Sequence, residues 1–156
     1  MTDPANVAPP PPPSTAAFAS WGARVVAAII DQLPIGVAYF IFAVLFGQNT
    51  AGAGSFSTNL SGVPALVFFV IAIGWLVYNW GVKQGGTGKT LGKGVMKIAV
   101  FKVGTTEALG TGLSIGRQFV HILDAIPCYL GYLWPLWDSE NRTFADMILN
   151  TRVYKA

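Results

Sequence analysis

The sequence predicts an all-α membrane protein: two clear transmembrane helices plus a third broken or hairpin-like hydrophobic region, with a short cytoplasmic β-like segment. Three observations predict it. Of 156 residues, 53% are hydrophobic and 11% charged, where an average soluble domain carries about 25% charged residues. Two apolar stretches are each long enough to cross a hydrocarbon core of about 30 Å at about 1.5 Å per residue. No acidic residue lies between Asp31 and Glu107, where Lys83, Lys89, Lys93, Lys97 and Lys102 gather in one loop. The length allows one domain. The single cysteine, Cys128, excludes an internal disulfide.

Residues 1–17 contain "APPPPPSTAA". Proline fixes φ and removes backbone donors, so this run reads as a disordered or polyproline II cytoplasmic tail. It is a solvated leader or a ligand for a proline-recognition module. No basic n-region precedes an apolar stretch, so it is not a signal peptide.

Residues 18–156 form the membrane domain, with spans at about 22–46, 63–82 and 113–137. The first is apolar apart from Arg24, Asp31 and Gln32. Residues 47–61 are small, polar and uncharged, and read as a loop. The second span ends in Trp75, Tyr78 and Trp80, an interfacial aromatic belt. The positive-inside rule puts the following lysine loop and the N-terminus in the cytoplasm. Within that loop, Val95–Val103 alternates and is β-branched, as a short strand would be. The third stretch is interrupted by Arg117, His121, Asp124 and Pro127. A single crossing leaves the chain's end outside. A hairpin broken near Pro127 returns it to the cytoplasm, where a strand around Asn150–Tyr154 can pair with Val95–Val103. The hairpin is favoured, because an isolated strand has no partner outside.

"GGTGKTLGKG", Gly85 to Gly94, looks like a phosphate loop. Walker A spacing requires a glycine where Lys83 stands, and the segment follows a span instead of a buried strand. The reading is a cationic turn against anionic lipid headgroups, or the rim of a ligand entrance, with no nucleotide and no nucleic acid as partner. Gly88, Lys89, Thr90, Gly92 and Lys93 are its candidate residues.

An internal repeat carries the buried charges. Arg24, Asp31 and Pro34 recur at the same spacing as Arg117, Asp124 and Pro127. Two parallel repeats imply a pseudo-two-fold axis along the membrane normal, bringing Asp31 near Asp124 and Arg24 near Arg117. A helix-centre charge costs roughly 2.5–3.5 kcal/mol on insertion scales. The arginines can snorkel to headgroups. The deep aspartates are a proton or cation site, or a polar pair that fixes helix packing. His121, one turn before Asp124, can share a proton with it. Each proline should kink its helix and free a carbonyl. No metal constellation, nucleophile–base pair or cofactor motif is present in the pattern, so the chain reads as a non-enzyme without cofactors.

These residues resemble the RDD family of bacterial membrane proteins, named for one arginine and two aspartates. Arg24 and Asp31 match its first two letters. "GGTGKTLGKGVMKIAV" and "PLWDSENRTFADMILNTRVY" resemble its later segments. The resemblance makes Asp146 the preferred third letter, with Asp124 the other candidate. It implies a multi-pass protein of the bacterial inner membrane with an unassigned molecular role. Transport of a cation, a proton or another small ligand is the leading expectation. A non-transporting scaffold that recruits protein partners is the alternative. Homo-oligomers or other membrane proteins are the expected partners, beside the lipid bilayer.

Overall fold

A computed structural model describes residues 17–52, 55–105 and 107–156. The expectation of a disordered tail therefore lies, Ala17 apart, outside the described residues.

Helix α1 spans Trp21–Phe46, started by Ser20, whose hydroxyl accepts the Ala23 N–H. It runs unbroken through Pro34. Helix α2 runs Gly62–Thr87, and its segment Val77–Lys83 is π-helical. Both α1 and α2 are long and apolar enough to cross a membrane. Their large apolar side chains remain uncovered: Ile29, Leu33, Val37, Phe40 and Val44 along α1 are all more than half exposed. Helices this apolar with so little buried belong in lipid, or against another apolar surface.

Helix α4, Thr111–Ala125, and helix α5, Leu130–Leu136, are bent by 104° from each other. They make one broken span or a re-entrant turn. The two repeats diverge here. Pro34 sits within a helix, while Pro127 precedes Cys128 and Tyr129 at φ 50° and 63°, where the chain reverses.

The rest lies in short elements. Helix α3 (Leu91–Val95) leads into β3 (Ile98–Lys102), and helix α6 (Phe144–Ile148) leads into β4 (Thr151–Lys155). Strands β3 and β4 pair antiparallel, Ile98 opposite Lys155 through Lys102 opposite Thr151. This pairing of β3 with β4 is the one that the hairpin reading expects. The Ala19 N–H donates to Val153 O at 2.9 Å, and Lys155 N–H to Ala17 O at 3.0 Å. The start of α1, the lysine segment and the chain's last strand thus meet on one side. Ala19, Ala27, Ile98, Val100 and Val153 form a small core beneath them. An ion network, Asp138–Arg142–Glu140–Arg152, ties the segment before α6 to β4.

Three expectations need correction. Residues 47–61 are not merely a loop: β1 (Gln48–Gly52) and β2 (Ser55–Asn59) pair as an antiparallel hairpin. The fold is thus not all-α, since two two-stranded sheets accompany the helices. The second helix also outlasts the expected 63–82. It continues through Thr87 because Gln84, fully buried, is held by tertiary hydrogen bonds that override the poor helix propensity of Gly85 and Gly86. Gly88 then ends it at φ 70°, a conformation that favours glycine.

The repeat extends well beyond its charges. Thr90 and Thr143 each cap a short helix, accepting the Lys93 and Asp146 N–H groups at 3.1 and 3.2 Å. Each helix is followed by a positive-φ residue, Lys97 at 52° and Asn150 at 51°, and then by a strand. Exchanging the two segments maps the strand register onto itself, with Val100 opposite Val153 at the centre. A local twofold relation between the two segments therefore passes between β3 and β4.

Candidate functional site

Arg24 enters from the first turn of α1, Arg117 from α4, and Asp146 from α6. They converge on one carboxylate. Arg24 Nη1 donates to Asp146 Oδ2 at 2.7 Å, and Arg117 Nη2 to Asp146 Oδ1 at 2.6 Å. The Thr151 hydroxyl donates to Oδ1 at 3.0 Å and the Thr143 N–H to Oδ2 at 3.2 Å. Asp146 is fully buried. Burial pushes its carboxyl up, but the charges and hydrogen bonds of Arg117 and Arg24 outweigh burial and hold it below the usual carboxylate range. The arginines therefore do not snorkel as expected. They are buried in an ion triad.

Asp31 and Asp124 have other partners. Asp31 Oδ1 accepts the Gly92 N–H at 2.7 Å and Asn79 Nδ2 at 2.9 Å, while Asn79 Oδ1 accepts the Leu91 N–H at 2.8 Å. Asp124 Oδ1 accepts the Phe144 and Ala145 N–H groups at 2.8 and 3.3 Å, and its Oδ2 pairs with His121 Nδ1. Each aspartate holds the start of one short helix, Asp31 that of α3 and Asp124 that of α6. The repeat thus encodes two clamps, and the structure does not join the two carboxylates in one site.

The glycine–lysine stretch is absorbed by the same clamps. Acceptors within the chain already take the Leu91, Gly92 and Lys93 N–H groups. A phosphate cradle would need those donors free. Gly92 is packed so closely that an added Cβ would overlap the Ala27 backbone of α1. Lys89 is half-buried and Thr90 buried, with the Thr87 hydroxyl donating to Lys89 O at 3.2 Å.

Lys93 turns inward. Its ammonium donates to Gln84 Oε1, and Gln84 Nε2 donates to Ser114 Oγ at 2.7 Å. Burial, and then the nearby Arg117, push its pKa down to about 7, against the opposing pull of Asp146 and Asp31. A cavity of about 550 Å³ lies here, its wall including Arg24, Asp31, Lys93, Arg117, His121 and Tyr132. Asp124 and Asp146 stand behind this wall. Exposed Ala28, Ile29 and Gln32 of α1 also border it, so it opens on the side of that helix. Sequence reasoning missed Asn79 and Gln84. Asn79 was the findable one, as the only amide within the second apolar stretch.

The family model of the RDD family matches residues 18–150. The proline-rich antigen of Mycobacterium leprae (strain TN) is 35% identical over 150 residues, 86% of this chain and 60% of that protein. A proline-rich antigen homolog of Mycobacterium tuberculosis (strain CDC 1551 / Oshkosh) is 35% identical over 153 residues, 88% of this chain and 63% of that protein. The chain therefore spans somewhat over half the length of these relatives. No solved structure matches it.

Proposed function

The chain belongs to the RDD family, and on that premise we propose that it binds a small ligand in the cavity between α1, α2 and α4 and serves its passage across or along a membrane. The carrying observation is the cavity of about 550 Å³ with charged residues in its wall. That volume lies within the range of about 300–1,000 Å³ usual for small-molecule sites. Ionisable residues set within apolar helices mark functional positions by default. In this reading Asp31, Arg24, Arg117 and Lys93 face the ligand's surroundings, while Asp124 and Asp146 hold the frame. The membrane is the bacterial inner membrane. The lysine segment and both described ends lie on its cytoplasmic face, with Lys83 and Lys89 near anionic headgroups. The protein acts without enzymatic chemistry and assembles with copies of itself or with other membrane proteins, which cover part of its exposed apolar face.

The test is solute release from liposomes holding the purified protein and loaded with sodium, potassium, phosphate or acetate. Wild type should release at least one of these faster than empty liposomes. Ala28→Phe, which narrows the rim of the cavity, should slow that release. Background release of all four would move the weight to a non-transporting scaffold.

A further inference from the structure

We propose that the cavity is an anion site, built for one carboxylate or phosphate group. The proposal rests on the small-ligand reading above and names the chemistry of that ligand.

The first observation is unmet donors. Arg24 engages Asp146 through Nη1 alone. Its Nε and Nη2 are buried and have no hydrogen-bond partner among the described residues, and neither has Nε of Arg117. The Arg117 side chain is 5% exposed. Nε and Nη2 form one side of the guanidinium, the fork that matches two oxygens of a carboxylate or phosphate. Leaving a buried donor unsatisfied is unfavourable, so three such nitrogens at one cavity call for an acceptor. These nitrogens are themselves covered. Binding therefore requires the Arg24 head to turn about its single ion pair.

The second observation is charge balance. Arg24, Arg117 and Lys93 border the cavity; Asp31 stands in its wall and Asp146 just behind it. With Lys93 protonated, three cations in the wall stand against one carboxylate there, Asp31, while Asp146 and Asp124 lie behind it, Asp124 against His121. Asp146 is engaged through both oxygens and Asp31 through Oδ1. Asp146 accepts four hydrogen bonds, and Asp31 Oδ1 accepts two. A cation would have to compete with those donors and with three like charges. An anion meets Asp31 and Asp146 as like charges but gains the unmet donors of Arg24 and Arg117.

The third observation is shape. Trp21, Trp80, Ala28 and Ile29 give the wall an apolar part, and the opening lies along α1. This suits an anionic group on an apolar body, whether a lipid headgroup reached sideways or a soluble organic anion.

The experiment uses the full chain purified in an uncharged detergent. Unfolding temperature, followed by tryptophan fluorescence at constant ionic strength, is titrated with sodium phosphate, sodium acetate, dioctanoyl phosphatidic acid and sodium chloride. Choline phosphate controls for the cation. The anion site predicts a saturable rise with at least one phosphate or carboxylate probe, and none with chloride. Saturation by inorganic phosphate or acetate identifies a soluble anion. Saturation by phosphatidic acid alone identifies a lipid headgroup. Lys93→Met, which touches no ion pair of Asp146, should keep its circular dichroism spectrum and weaken the apparent Kd about tenfold or more, while Lys93→Arg retains binding. A saturable response to sodium with none to any anion would overturn the anion assignment and leave the small-ligand reading standing. So would anion responses identical in wild type and Lys93→Met. No saturable response to any probe would also overturn it, and the liposome release experiment decides the broader reading separately.

Discussion

Lys93 and Asp146 hold the same position in the two copies of the repeat, each three residues after a capping threonine and each supplying the N–H that the threonine accepts. One copy places a cation there and the other an anion. The twofold relation of the backbone thus carries side chains of opposite charge at this pair, Asp146 bonded to both arginines and Lys93 near them.

The two positions should respond unequally to neutralisation. Asp146→Asn leaves Arg24 and Arg117 buried with no counter-charge, a change that costs about 3–5 kcal/mol when one partner of a buried pair is removed. Lys93→Met removes a charge that burial disfavours but leaves Gln84 Oε1 without its donor, so it should cost less than Asp146→Asn, at most about 1–3 kcal/mol. Thermal unfolding of the two variants in one detergent checks this. Equal losses would mean that Lys93 is a structural ion as well.

Stability should rise with pH above neutrality. The Lys93 pKa is lowered to about 7 in the folded chain, with Arg24, Arg117, Asp31 and Asp146 around it. Its unfolded value is near the ordinary lysine value of about 10.4. Between those values the unfolded chain binds more protons, so raising the pH favours the folded state. Asp146 has the same sign in a lower pH window. Its lowered pKa stabilises the fold above the usual carboxylate range, and that contribution is lost as pH falls below it. Melting curves from pH 6.5 to 9.5 should climb for wild type and flatten for Lys93→Met. Parallel curves would refute the assignment to this lysine.

Neighbouring glycines in α3 should tolerate alanine very differently. At Gly92 a Cβ overlaps the Ala27 backbone, while at Gly94 nothing lies within 4 Å. Gly92→Ala should cost about 1–3 kcal/mol through forced separation of α1 and α3. Gly94→Ala should gain up to about 1 kcal/mol from helix propensity. The comparison is read from the two unfolding midpoints, and a tolerated Gly92→Ala would place α3 away from α1.

Topology follows from the strands. In a Cys128→Ser background, a membrane-impermeant thiol reagent should reach Lys89→Cys and Ala156→Cys from the same side of the bilayer, and Ser57→Cys from the other. Labelling of Ala156→Cys from the side of Ser57→Cys would break the pairing of β3 with β4.

The two long apolar helices were legible because an unbroken apolar run of that length leaves a strong trace in hydropathy. The Arg–Asp–Pro repeat was legible for a related reason: charge inside an apolar run needs a partner, even before that partner is known. Which partner could not be read. Asp146 lies 122 positions from Arg24 and 29 from Arg117, and only the return of the chain at Cys128 and Tyr129 brings it back. Pro34 and Pro127 show the same limit. Their local sequences agree, but one lies in a continuous helix and the other at a reversal, because tertiary contacts decide what proline's missing donor means. The inward turn of Lys93 was hidden by its surroundings in the sequence, a run of lysines suited to a solvated face.

The ion triad also sets a timetable for biogenesis. Arg24 leaves the ribosome among the first residues of the first helix, and the carboxylate that answers it follows 122 positions later. Throughout that interval the growing chain holds an arginine without the carboxylate that pairs with it, joined by a second when Arg117 appears. Only the last short helix ends this state. A nascent chain halted before Asp146 would thus carry a clear mark of incompleteness, the kind of exposed defect by which membrane quality control distinguishes unfinished proteins from finished ones.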